Sequence, residues 1–129
     1  MAEDGDQPIE RISEAEHAVM EVLWDTSPLA ASDVCDAVCT SRGWTMPTVK
    51  TLLSRLVAKG ALATEADGRR FLYTPLLARE DYVGTESRRL VDRLFGGRGA
   101  ALFAHLAETE SLSDEDISQI EKLLREMRK

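Results

Sequence analysis

The stretch TMPTVKTLLSRLVAKG, Thr45 to Gly60, decides how the chain is read. Val49, Leu52, Leu53, Leu56 and Val57 recur at spacings of three and four, the stripe that an amphipathic helix buries. Thr45 is placed to cap the start, Pro47 falls in the first turn where no amide donor is needed, and Gly60 stands just past the end as a terminator. The spacing therefore predicts a helix over 46–59. Its other face carries Pro47, Thr48, Lys50, Thr51, Ser54 and Arg55, small hydroxyls and cations with no acid among them.

Working outward, the period changes to two after Gly60: Ala61 to Glu65, a turn at Ala66-Asp67-Gly68, then Arg69 to Thr74, ended by Pro75. This is the pattern of a hairpin with Arg69 and Arg70 at its tip. Upstream, Ser13 followed by Glu16 is a capping box, and Ala15, Val19, Val22 and Leu23 with Trp24 have helical spacing, so a first helix is expected over 14–24. Thr, Ser and Pro in Asp25–Leu29 break it, and Val34, Cys35 and Val38 define a short second helix over 32–39. Three short helices followed by a two-stranded hairpin form the winged helix-turn-helix pattern.

Charge points the same way. The chain has 129 residues, 43% hydrophobic and 30% charged, with a net charge of −7. These values fit a small globular protein and exclude collagen, long coiled coil and disordered-tail classes. A net negative charge argues against a nucleic-acid partner until it is divided. Residues 1–39 hold ten acids against Arg11, residues 40–75 hold six basic groups against two acids, and residues 76–129 hold nine against eleven. The positive excess is confined to the window that contains the third helix and the hairpin. A cationic helix face of the right width for a major groove, next to basic hairpin residues, is the chemistry that meets duplex DNA. Thr48, Thr51 and Arg55 are the candidates for base or phosphate contact, and Lys50, Arg69 and Arg70 for holding the backbone.

Beyond Pro75 the sequence is helical again, over 81–95, 100–107 and a last helix capped by Ser113 with acids in its first turn. Each carries one thin apolar stripe: Tyr82, Leu90 and Leu94; Leu102 and Leu106; Ile117, Ile120 and Leu124. Such helices cannot close a core alone, so a second copy in twofold symmetry is expected to cover them. A homodimer would present two reading helices to successive turns of an inverted-repeat operator. The expected organisation is a disordered start over 1–11, a winged-helix domain over 12–76 and a helical dimerisation domain over 77–129, the whole mainly α with a small β-hairpin.

Taken together, Ile12-Ser13-Glu14-Ala15-Glu16 with Val22-Leu23-Trp24, Trp44-Thr45 with Thr48 to Leu56, Lys59-Gly60-Ala61-Leu62 and Gly68-Arg69 with Phe71 to Pro75 make the chain resemble the BlaI/MecI penicillinase-repressor family. Leu112-Ser113 with Glu115-Asp116-Ile117 extends the likeness into the last helix. The resemblance implies a dimeric transcriptional repressor whose operator-bound form blocks a promoter, and a membrane sensor-protease pathway that ends in cleavage of the dimerisation domain. By position it assigns Thr48, Thr51 and Arg55 to the reading helix and Arg69 to the wing. Pro47 stands where relatives have Lys and Lys50 where they have Gln, which moves the charge by about a helical turn and implies a different operator sequence. The family's scissile Asn-Phe bond falls at His105-Leu106, an altered pair, and the Cys-x-Cys pairs of the related copper repressors are absent.

Other chemistry is thin. Cys35 and Cys39 lie four apart, where a disulfide along one helix is expected to be geometrically poor and a metal would need further ligands, His17 being a candidate neighbour. A metal- or redox-responsive regulator using this pair is one alternative, and a winged-helix protein-interaction module is another. No nucleophile–base arrangement, phosphate loop or metal-ligand cluster suggests an enzyme, and no cofactor is implied. No stretch approaches a membrane span and no signal peptide is visible, so a cytoplasmic location without membrane insertion is expected.

Overall fold

The structure, a computed structural model, describes residues 11–129. Most of the expected disordered start, residues 1–10, lies outside the described residues. Arg11 does not belong with it, because its carbonyl accepts a hydrogen bond from Lys59 Nζ at 2.8 Å. The elements are α1 (Glu14–Asp25), β1 (Leu29–Ala30), α2 (Ala31–Arg42), α3 (Met46–Ala58), β2 (Leu62–Asp67), β3 (Arg70–Pro75), α4 (Arg79–Phe95), α5 (Gly99–Glu108) and α6 (Asp114–Met127).

The chain divides into two compact units, the first ending at Tyr82 and the second running from Val83 to Lys129. In the first unit the capping box forms as read: the Ser13 N–H donates to Glu16 Oε1 at 2.8 Å and the Glu16 N–H to Ser13 Oγ at 3.1 Å. One core gathers the inward stripes of three helices: Val19, Met20 and Leu23 from α1, Val34 and Val38 from α2, and Val49, Leu52, Leu53 and Leu56 from α3. Complete burial of each such aliphatic side chain stabilises by about 1.5–3 kcal/mol, which is what holds these short helices together.

The hairpin gains a strand that the sequence did not suggest. β1 pairs antiparallel with β3, Leu29 opposite Tyr73, giving the order β1-β3-β2. Two residues are too few to show alternation, so the segment reads as a helix break. The hairpin turn is also tighter than expected. Asp67 pairs with Arg70, which leaves only Gly68 and Arg69 to turn the chain. Gly68 adopts φ 66°, the conformation that the first residue of a two-residue hairpin loop requires. At the α2–α3 junction Gly43, with φ 68°, ends α2.

Cys35 and Cys39 are joined by a disulfide, with Cα atoms 4.9 Å apart. This differs from the expectation that a bridge along one helix is geometrically poor. Residues four apart share a helix face, and this Cα separation lies inside the range that disulfides span.

In the second unit, α6 is capped as read: the Asp116 N–H donates to Ser113 Oγ at 3.0 Å and the Ser113 N–H to Asp116 Oδ2 at 3.1 Å. None of α4, α5 or α6 has a buried residue. Gly84 lies within α4 with open space where a Cβ would stand, so close packing does not account for it. Among the described residues no helix is long and apolar enough to cross a membrane.

Glu16 is the one buried charged side chain among the described residues, 2% exposed, and it accepts from Lys59 Nζ at 2.6 Å. Burial pushes its carboxyl up, but the Lys59 bond, the Ser13 amide and the lysine's charge together outweigh this and hold it below the ordinary carboxylate value. A depressed carboxylate contributes stability that is complete above its unfolded pKa and is lost as pH falls through the folded one. Lys59→Met strands the carboxylate and is expected to cost about 3 kcal/mol near neutrality. In that variant burial raises the carboxyl instead, so the deficit against wild type should narrow on acidification; urea melts across the acid range measure this, and a deficit independent of pH would refute it. Gly84→Ala should raise the thermal midpoint through a gain of about 1 kcal/mol in helix propensity.

Candidate nucleic-acid interface

Burial of Val49, Leu52, Leu53 and Leu56 fixes the rotation of α3 and therefore which side chains it turns outward. Thr48, Lys50, Thr51, Ser54 and Arg55 are all exposed. Lys50, Thr51, Ser54, Arg55 and Ala58 line one shallow open groove along this face. Thr45 occupies the cap position in an extended conformation, but its hydroxyl makes no capping bond to the backbone; it lies 3.4 Å from the hydroxyl of Thr48 instead.

The six basic groups of the window 40–75 are not equivalent. Lys59 is turned inward onto Glu16 and the Arg11 carbonyl. Arg70 is not at the hairpin tip: it opens β3, and its Nε donates to Asp67 Oδ2 at 3.2 Å, an exposed pair of small energetic weight that nonetheless balances its charge. Arg69 alone of the two arginines sits in the turn, exposed. Among the described residues Lys50, Arg55 and Arg69 have no acidic partner within ion-pair distance. Arg42, at the end of α2, was not among the candidates; its guanidinium carbon lies 5.2 Å from the centre of the Trp44 ring.

Trp24 and Trp44 both pack against the core. Trp24 Nε1 donates to the Leu77 carbonyl at 2.8 Å, and the Trp44 N–H donates to the Cys39 carbonyl at 3.0 Å, which fixes the turn into α3. Tyr82, expected on the dimerisation stripe, packs within the first unit instead. It stacks on His17 at 5.1 Å and tilts against Trp24 at 5.6 Å. The apolar stripe includes Tyr82 by spacing, but its ring is engaged by His17 and Trp24 of α1. Beside them Arg79 donates to both oxygens of Glu21, at 3.0 and 3.2 Å, and holds that carboxyl below its ordinary value.

The remaining stripe residues lie in the second unit. Leu90, Leu94, Ile117 and Leu124 are exposed, at 37%, 55%, 43% and 51%, and Leu102, Leu106 and Ile120 are half-buried. Leu123, 58% exposed, and Met127, 79% exposed, continue the apolar surface. His105 and Leu106 lie within α5, the His105 ring 6.2 Å from Phe95. Among the described residues no group of three or more His, Cys, Asp or Glu side chains could hold a metal ion.

A family model described as "Penicillinase repressor" matches residues 12–126. The chain belongs to this penicillinase repressor family. The penicillinase repressor of Bacillus licheniformis is 33% identical over 118 residues, 92% of each chain. The methicillin resistance regulatory protein MecI of Staphylococcus aureus (strain N315) is 26% identical over 113 residues, 88% of this chain and 92% of that one. Among solved structures, the DNA binding domain of the repressor BlaI is 38% identical with a TM-score of 0.54, covering 59% of this chain and 93% of that one. The Bacillus licheniformis BlaI monomeric form in complex with the blaP half-operator is 39% identical with a TM-score of 0.51, covering 58% of this chain and 92% of that one. The family's winged-helix fold and the expected architecture therefore agree, with the third strand as an addition.

Proposed function

We propose that this penicillinase-repressor family member is a dimeric transcriptional repressor that binds an inverted-repeat operator, with α3 in the major groove and the β2–β3 turn on the flanking backbone. The observation that carries the reading is the outer face of α3, where Thr48, Lys50, Thr51, Ser54 and Arg55 are exposed with no acid among them. Thr48, Thr51 and Arg55 contact base edges or phosphates, Arg55 being suited to the paired acceptors of guanine. Lys50 and Arg69 hold phosphates, and Arg70, balanced by Asp67, contributes less than its charge alone suggests. The half-operator complex of the BlaI relative supports a duplex as the partner.

The second unit supports pairing of two chains, because helices without a buried residue, with Leu94, Leu123 and Leu124 more than half exposed, lack the covered core that keeps such segments folded. Leu90, Leu94, Leu102, Leu106, Ile117, Ile120 and Leu124 form the proposed dimer surface. Steric occupation of a promoter in the cytoplasm then silences transcription, and loss of pairing relieves it. A membrane sensor-protease pathway would act at His105-Leu106, which lies inside α5, so cleavage there requires that helix to open first.

A second reading, redox response through α2, is favoured by the Cys35–Cys39 bond. In the cytoplasm such bonds are usually transient and sensing. Under this reading, reduction by dithiothreitol releases two thiols per chain and changes operator affinity, whereas Cys35→Ser/Cys39→Ser becomes indifferent to the reductant. Identical affinities with and without reductant would remove it.

Arg55→Ala is expected to weaken operator binding by about 1–3 kcal/mol while affecting random duplex much less, and Arg69→Ala to weaken both alike. Anisotropy titrations on the two duplexes decide, and equal losses for both variants would reject the division of roles. Leu124→Asp should shift sedimentation to the monomer and reduce affinity for the full operator by about tenfold or more, with little change on an isolated half-site.

A further inference from the structure

Arg42 rests on geometry that points to a definite chemistry.

We propose that Arg42 is a phosphodiester contact of the duplex interface, at the edge of the groove that α3 enters; the inference rests on the DNA-binding reading above. Arg42 ends α2, is exposed, and has no acidic partner within ion-pair distance among the described residues. Its guanidinium lies over the Trp44 ring, 5.2 Å from the centroid. The ring is itself a fixed platform, packed against the core and tied through its backbone amide to the Cys39 carbonyl at 3.0 Å.

A guanidinium seated over an aromatic ring has five N–H donors, and those directed away from the ring remain free to donate. The contact restricts the side chain before any partner arrives, so less freedom is lost on binding. Recognition helices present their N-terminal residues to base edges, and the chain just before them meets the phosphates that wall the groove. Arg42 lies in that position, two residues before Trp44 and four before Met46. Two donors of a guanidinium match two phosphate oxygens, and at this place outside α3 the walls of the groove are what lies within reach. With Lys59 and Arg70 balanced internally, Arg42 joins Lys50, Arg55 and Arg69 as the cations open to a partner.

A solely structural part for Arg42, favourable placement at the C-terminal end of α2, predicts a change in stability but none in counterion release. The test is therefore the salt dependence of binding by the full chain to a duplex from its own upstream region and to random duplex of equal length. Arg42→Gln should weaken both duplexes by similar factors and reduce the slope of log affinity against log salt by about 0.9. Between about 50 and about 200 mM salt the gap between wild type and variant then closes by about 3.5-fold. Arg42→Lys, which keeps the charge, should retain most of the slope. An unchanged slope in Arg42→Gln, or a loss confined to the upstream fragment, overturns the proposal. Failure of the wild type to bind either duplex overturns the DNA-binding reading itself, a distinguishable result.

Discussion

The arrangement of the first unit depends on one carboxylate oxygen. Glu16 Oε1 accepts both the Ser13 amide that starts α1 and the Lys59 ammonium that follows the last turn of α3. Lys59 also reaches the Arg11 carbonyl, so the end of α3 is tied to the start of α1 and to the residue that leads into it by a single ammonium. The buried stripe of α3 already sets which face turns outward. The ion pair adds a point constraint at the end of that helix, because displacement leaves a charge without its partner in a poorly solvated place. The pair thus pins the C-terminal end of a helix whose outer face the core orients.

What could be read from the sequence divides along the range of the interaction. The capping boxes at Ser13/Glu16 and Ser113/Asp116 and the stripe on α3 are encoded within one or two turns, and each forms where the pattern places it. The Lys59–Glu16 bond joins residues 43 apart, and no local pattern distinguishes this lysine from the other cations of the window. By sequence it belongs to the basic window, although it faces inward. Strand β1 was missed for a related reason. Leu29 and Ala30 are a strand only because β3 supplies partners, more than forty residues downstream. The candidate face of α3 was legible because exposure there is the geometric complement of a legible stripe. Arg70 was misplaced by a single turn residue. The aromatic partners of Tyr82 lie on α1, beyond the reach of a reading confined to its own helix. Arg42 stands apart because what distinguishes it is its seat over the Trp44 ring, a contact that no helical spacing shows.

The same geometry explains how an acidic protein presents a basic surface. Of the six cations between residues 40 and 75, one is neutralised internally by Glu16 and one by Asp67 across the hairpin turn. The cations left open are grouped on one outer helix face, one turn and one helix end. Screening at physiological ionic strength limits their reach to about 8 Å, so the acidic remainder of the chain does not cancel them at contact distance. It does oppose approach in any other orientation. Net charge therefore describes non-specific association, while the local grouping describes the oriented encounter.

Charge grouping of this kind sets a ceiling on what one copy can achieve. The open cations, Arg42 among them, are few, and a handful of phosphate contacts gives salt-sensitive binding that is weak under physiological conditions. Enlarging the basic surface would strengthen attachment to every sequence equally and erode selectivity. Doubling a small surface by association raises affinity only for sites that offer both halves at the right spacing. The apolar side chains of α4, α5 and α6, left without a covered core, fit that economy under the dimeric reading proposed above: selectivity would reside in a weak reading face and strength in pairing. On that reading, a signal that acts on pairing would release the duplex without altering any residue that reads it.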